Sequence, residues 1–401
     1  MLEFDEAQAR MASAGTPPNI TEVCPIRKAR GRVLAQTLFA SLDLPPADNS
    51  AMDGYAIRLA DYEPGKPLPV QQRCFAGVRP EPLQPGQCIR LFTGSLIPEG
   101  ADTVVMQEDG AETEEGFTIS VPPVLGAHIR RQGEDIATDA QLFAKGTLLG
   151  PAEIALLASQ GYAEVHVYPT LRVGILTTGD ELILPGQERS DENIYNSNGP
   201  MLTAMAENLG VEVVHALHAL DTAESLDNAL STLLNDCDVV LTVGGVSVGE
   251  KDLVKPAIEQ AGGKLDLWRV LMKPGKPVAL AHIGSKPIVC LPGNPVSAFA
   301  VFTLLVTPLI RTMQGRATVI PDVQFGKIMA DRPFEEKREE FLRVHAEFVA
   351  DDQPRLRPYF QQGSGIISSL PWASGFARIP AGTRVDDGTT VRYYDLKHWL
   401  S

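Results

Sequence analysis

Between residues 171 and 310 the chain alternates between two hydrophobic spacings. Apolar residues crowd into short runs, LRVGILTT at 171–178, VEVVHAL at 211–217 and VVLTV at 239–243. Such runs mark strands buried on both faces. Between them the spacing becomes helical: Leu202, Met205, Ala206 and Leu209 fall at i, i+3, i+4 and i+7, and Gly210 follows as a stop. Asp221 and Glu224 have capping-box spacing ahead of Leu226, Leu230 and Leu233. Strands and helices in alternation predict a doubly wound parallel sheet covered on both faces. The apolar run 296–310 is too short to span a bilayer and contains Pro308, so it is expected to be a core helix.

The flanks read differently. Residues 1 to about 40 carry two helical patterns, one over 4–12 and one from 27 to about 39 interrupted by Gly31. Residues 60–148 are rich in Pro and Gly with short alternating runs such as IRLF and TVVMQ, which predicts a small all-β insert. After 320, FLRVHAEFV, LRPYF, FARIP and TVRYYDL return to short strands, as in a small β-barrel. The expected class is therefore α/β plus β in several domains. An N-terminal region spans 1–168 with its β-rich insert at about 60–148. The α/β domain follows at 169–318 and a C-terminal β-barrel at 319–401. At roughly 150 residues per domain, a 401-residue chain accommodates about two to four.

Charge narrows the function. The net charge of −15 argues against a general binder of nucleic acid or anionic membrane. Yet from Lys251 to Lys286 there are seven Lys/Arg against three acids. A local basic cradle in an acidic protein suits a small anionic ligand; a solvated basic face is the plainer alternative. The five cysteines have neither CxxC nor zinc-ligand spacing, which fits a reducing cytoplasm, and MLEFDEAQAR has no signal-peptide profile.

The candidate chemistry gathers at strand ends, where ligands of such sheets bind. Gly244 and Gly245 end one strand, and Ser247, Gly249 and Asp252 follow. Lys273 and Lys276 lie in a Pro/Gly-stiffened turn. Pro292 precedes Asn294 and Pro295, an N-cap followed by a proline at the first helical position. Glycines permit close backbone approach, and helix starts favour phosphate or another oxyanion. Asp180, Glu181, Asp221 and Asp252 share this location and would repel an anion unless a hard cation such as Mg²⁺ lay between. The run from Gly245 to Gly249 also fits the GxSxG nucleophile elbow. A hydrolase would need a downstream acid and histidine, and His282, His345 and His398 have no evident partner. His215 and His218 read as packed or solvent-facing. The polar segment 48–54, the cluster Arg130, Arg131, Glu134 and Asp135, and Arg343 and Ser364 each have a plain structural reading of their own.

Seven segments in order, DNSAMDGYA, TGSLIPEGADTVVMQED, RRQGEDI, TGDEL, GGVSVGEKD, KPGKP and LPGNPVSA, resemble the MoeA family, the molybdopterin molybdotransferases. The E domain of gephyrin and its plant counterpart are similar. The likeness covers nearly the whole chain, weakest in the first 20 residues and after 345. GGVSVG and LPGNPVS also resemble molybdopterin adenylyltransferases, but those lack the outer regions. The resemblance implies a central molybdopterin-binding domain and a homodimer whose cleft the second subunit completes. It implies a reaction between adenylylated molybdopterin and molybdate, with Mg²⁺ and release of AMP.

The resemblance assigns functional roles to Asp53, Thr93, Asp135, Glu181, Asp221, Asp252, Lys273 and Lys276. Asp221 and Asp252 would hold Mg²⁺. Gly244, Gly245, Ser247, Gly249, Pro292, Asn294 and Pro295 would cradle the pterin phosphate and nucleotide. Arg343 and Ser364 would sit near molybdate. Arg269 stands where some relatives have lysine, and WASG around Ser374 departs from the usual alanine-asparagine-glycine. Implied transient partners are a molybdopterin adenylyltransferase and recipient molybdoenzymes or their chaperones. A gephyrin-like scaffold role is the other class, and a sequence without a long linker or an appended adenylyltransferase domain leads us to expect the enzyme instead.

Overall fold

A computed structural model describes residues 2–245, 253–350 and 352–401. The chain divides into two compact units. The first comprises Met1–Gln36, Lys145–Ile154 and Glu164–Ser401, and the second Thr37–Ala144 and Ala155–Ala163.

A six-stranded sheet lies at the centre of the first unit. Its order is Glu212–Ala219, Arg172–Thr178, Val239–Val243, Lys286–Leu291, Pro277–Ile283 and Lys264–Arg269. The first four strands are parallel, as the alternating pattern predicts. The last two are antiparallel to their neighbours, so the sheet is mixed. The reason is local. Only Gly284 and Ser285 separate two strands, and Gly284 has φ +61°, so the chain turns back as a tight hairpin.

Each strand feeds both faces. Val239, Leu241 and Val243 face one core, with Phe4, Met11, Leu202, Met205, Leu305 and Leu309. Val240 faces the other, with Leu226, Leu230, Leu233 and Ile258. The period of two within the strand and the period of 3.6 in the helices meet there. Each buried leucine contributes about 1.5–3 kcal/mol of transfer free energy. The run expected to be a core helix spans Pro295–Met313. It is long and apolar enough to cross a membrane, but 89% of its most apolar window is buried inside the protein. A π-helical turn at Phe302–Val306 precedes Pro308, whose ring removes a donor and crowds the turn before it.

Two local expectations are corrected. No helix covers 27–39; only a single 3₁₀ turn, Ile26–Lys28, forms there. Gly31 has φ +77°, and Val33 and Leu34 make bridges to Leu148 and Val167, so distant backbone partners override the local apolar spacing. The helix Ala223–Asp236 is capped by Thr222, whose hydroxyl accepts from Ser225 N at 3.3 Å, and not by Asp221.

The C-terminal strands Gln324–Ile328, Glu339–Glu347, Arg355–Pro358, Gly375–Ile379 and Thr390–Asp395 pair in a closed circuit, the expected barrel. The short strand Met272–Lys273 pairs in parallel with Glu339 and Glu340. The second unit is β-rich. Val70–Cys74, Cys88–Leu91, Gly54–Ile57 and Thr103–Met106 form one sheet, and the hairpin Gly110–Thr113 with Gly116–Ile119 brings Phe117 onto Tyr55, rings 3.7 Å apart.

Candidate functional site

Three neighbouring parallel strands end at one place in the first unit. Thr178, Val243 and Leu291 finish them, and the chain beyond each lines a cavity of about 1040 Å³. Gly244 can be nothing else: its φ is +96°, and a Cβ there would meet Thr178 Oγ1 at 2.9 Å and Thr178 O at 3.0 Å. Gly245 follows with φ +66°. Pro292, Gly293, Asn294 and Pro295 continue the floor. Asn294 occupies the N-cap with Pro295 first in the helix, as the sequence predicts. Asn198 from the opposite side donates through Nδ2 to the Gly293 carbonyl at 2.7 Å and fixes that loop.

The walls carry charge. Among the described residues, Glu181 is the acid in the walls, and Lys273, Lys276 and Arg338 are the cations. Lys273 Nζ donates to Glu336 Oε1 at 2.6 Å and pairs with Glu340 Oε1 at 2.9 Å. Burial alone disfavours its charge, yet the two carboxylates outweigh that and hold its pKa above the ordinary lysine value. Lys276 is exposed and makes no ion pair among the described residues. The loop through Gln362, Gly363, Ser364 and Gly365 closes another side. The Ser364 carbonyl accepts from Val296 N at 3.2 Å, which joins the barrel loop to the start of the core helix.

Arg343 is placed otherwise than expected. It is 1% exposed and lies behind the cavity instead of in its wall. Its guanidinium donates to the carbonyls of Gln361, Gln362 and Gly363 at 2.9, 3.1 and 3.2 Å and to Ser369 Oγ at 2.8 Å. Burial pushes its pKa down to about 10, so it stays charged at neutral pH. It organises the loop that bears Ser364 and has no donor directed to a ligand.

The chain matches three family models that together span most of its length. These are the MoeA N-terminal region (domains I and II) over 2–161, a probable molybdopterin-binding domain over 174–312, and the MoeA C-terminal region (domain IV) over 326–396. The chain belongs to the MoeA family. A relative from Haemophilus influenzae named molybdopterin molybdenumtransferase is 38% identical over 79% of this chain and 78% of its own. One from Nostoc with the same name is 37% identical over 94% and 89%. The crystal structure of the moeA protein of Pyrococcus horikoshii OT3 superposes with a TM-score of 0.83 at 29% identity, covering 98% of this chain and all of that one.

In this MoeA-family chain the expected site residues within the described part, Arg343 aside, fall into three groups. Glu181, Gly244, Gly245, Lys273, Lys276, Pro292, Asn294, Pro295 and Ser364 line the cavity. Asp221 stands one strand further out, beside Asp180, whose Oδ1 accepts from Asp221 N at 3.0 Å. Asp53, Thr93 and Asp135 belong to the second unit. There Asp53 Oδ1 accepts from both the backbone N and the hydroxyl of Thr93, each at 2.8 Å, and these bonds hold its pKa below the ordinary aspartate value. The Asp135 side chain is exposed. Ser247, Gly249 and Asp252 lie outside the described residues, and so does the GxSxG serine reading. His215 pairs with Asp236 at 2.7 Å and His218 meets the Thr177 carbonyl at 3.2 Å, so both have structural partners.

Two cavity residues escaped the sequence reading. Asn198 opens the helix Asn198–Asn208, and the helical spacing from Leu202 onward gives no sign of its bond to the Gly293 loop. Arg338 sits in a run, EEKREE, that looks like a solvated surface. No local signal distinguishes it from Lys337; the barrel register turns it toward the cavity.

Proposed function

We propose that this chain inserts molybdenum into molybdopterin, taking adenylylated molybdopterin and molybdate and releasing AMP. The observation that carries the reading is the cavity: a glycine-lined floor at three strand ends beneath walls that, among the described residues, carry three cations and one acid. Glycines let a phosphate or a flat pterin approach the backbone, and the cations suit a tetrahedral dianion. Relatives that cover most of this chain bear the corresponding name.

Mg²⁺ fits the acids. Among the described residues no three carboxylate, histidine or cysteine side chains cluster as a complete metal cage. Mg²⁺ needs none, because it is held by one or two carboxylates with water and substrate phosphates. Asp221, fixed beside Asp180 by the backbone hydrogen bond, would supply such a carboxylate. Bound there, the ion would neutralise charge on the phosphoanhydride. The reading also takes the protein as a homodimer, which light scattering would test, and as cytoplasmic, in keeping with five unbridged buried cysteines.

The experiment is AMP release by the purified chain given adenylylated molybdopterin and Mg²⁺, with and without molybdate. Molybdate-stimulated release is expected. Nucleotide that binds but stays intact would replace this reading with that of an adenylyltransferase-like binder.

A further inference from the structure

The cavity walls differ in charge. Among the described residues, all three lining cations lie on segments other than 181–198, which contributes Glu181, Leu182, Ile194 and Tyr195 together with three polar residues. Tyr195 is the one aromatic residue among the described residues that line the cavity. It is 46% exposed, and yet it is held. Its hydroxyl donates to the Gln187 carbonyl at 3.0 Å. The backbone on either side is fixed, by Ile194 N to the Glu181 carbonyl at 2.9 Å and by Asn196 N to the Ile183 carbonyl at 2.8 Å. The buried Asn196 side chain donates through Nδ2 to Thr177 Oγ1 at 2.8 Å and so ties the segment to a strand that ends at the cavity. The hydroxyl is engaged by Gln187, so the face of the ring is the part that remains for a ligand.

We propose that Tyr195 is a stacking platform for a flat heterocycle of the substrate, and that it thereby decides which end of the substrate lies at which wall. The inference rests on the proposed function and names the residue that holds the ring of its substrate. An aromatic face attracts another π-system and gives a phosphate no charge to pair with. Glu181, at the same wall, repels phosphate but accepts a hydrogen bond from an amino group. The anionic end of the substrate therefore turns to the cations and the ring to Tyr195. Leu182 and Ile194 add apolar surface beside the ring. Pterin and adenine are both flat and both carry an amino group, so the recognised chemistry is an aminated aromatic heterocycle.

Calorimetric titration with AMP, with ribose-5-phosphate and with free pterin separates ring from phosphate and one heterocycle from the other. The proteins are the wild type, Tyr195→Ala and Tyr195→Phe. If adenine stacks, the Kd for AMP is expected to rise about tenfold in Tyr195→Ala while that for ribose-5-phosphate stays as in the wild type. If pterin stacks, the tenfold rise is expected with free pterin instead. Either result supports the platform and names its occupant. Tyr195→Phe keeps the ring and should retain most of the affinity without the tether. A loss in Tyr195→Phe as large as in Tyr195→Ala would place the effect in the tether and overturn the platform. Equal losses for AMP and ribose-5-phosphate would overturn it as well, because the ring would then discriminate nothing. So would wild-type affinity of Tyr195→Ala for both AMP and pterin. Should Tyr195→Ala fail to fold, Tyr195→Leu, with apolar bulk but no π face, replaces it with the same expected and overturning results. A wild type that binds neither AMP, pterin nor molybdate overturns the proposed function, and this inference with it.

Discussion

Arg343 and Ser369 meet on the face of the barrel wall opposite its apolar core: the guanidinium Nε donates to the serine hydroxyl at 2.8 Å, and that hydroxyl donates to the Ile366 carbonyl at 2.6 Å. With the bonds to residues 361–363, one buried cation holds the shape of the whole loop that presents Ser364. Arg343→Met should therefore lower stability by about 3 kcal/mol or more, because several buried carbonyls lose a charged donor together. Urea denaturation reads this directly. Arg343→Lys should restore little, since one ammonium cannot reach acceptors spread across a planar fork.

Gly244→Ala is expected to damage the cavity floor. The left-handed backbone costs about 1–2 kcal/mol for a residue with a Cβ. The new methyl also meets backbone and hydroxyl atoms of Thr178 at 3.0 and 2.9 Å, and the backbone cannot yield. Nucleotide binding should weaken strongly while the far-ultraviolet dichroism stays that of a folded protein. Unaltered binding would remove the glycine floor from the account.

Glu340→Gln should make Lys273 more reactive. The two carboxylates hold the Lys273 pKa above its ordinary value, and removing the more buried one lets it fall back. More free amine is then present at any pH below the pKa. Mass spectrometry after brief acetylation at mildly alkaline pH should find Lys273 modified several-fold faster in the variant. Equal rates would mean that Glu336 alone sets the lysine's state.

Asp5 and Arg378 predict part of the acid sensitivity. Arg378 donates to both Asp5 oxygens, at 2.6 and 3.0 Å, and this hydrogen bonding leads the causes that lower the Asp5 pKa from 3.8. A depressed carboxylate stabilises the fold above its ordinary pKa and stops doing so as the pH falls through the lowered value. Asp5→Asn should thus narrow its stability deficit against the wild type as the pH drops below about 3.8. The Asp5 side chain is 62% exposed, so the difference should be small. A deficit that does not change with pH would assign the contact to packing.

The legible parts of this chain are those where one local pattern decides. Val239–Val243 is uniformly buried, and its sequence is uniformly apolar. Gly244 and Gly245 follow because the chain must turn at the strand end. The 27–39 segment misled because Val33 and Leu34 answer to partners more than 100 residues away. The two arginines misled for a related reason. Arg343 alternates along a strand and Arg338 sits in a charged run, but which one faces the cavity depends on the barrel register against Met272 and Lys273. Asp221 lost the capping role by one position, a difference that helix spacing alone does not resolve.

The closed barrel has a consequence for how this family can diversify. Closure leaves the five strands without a free edge, so lengthening or recomposing the connections at its ends exposes no unpaired backbone to another chain. The segment 359–374, which supplies one side of the cavity, is such a connection. Substitutions there can reshape that side of the cavity while the glycine floor at the strand ends stays as it is. Changes in what the cavity accepts would therefore be written first into this connection.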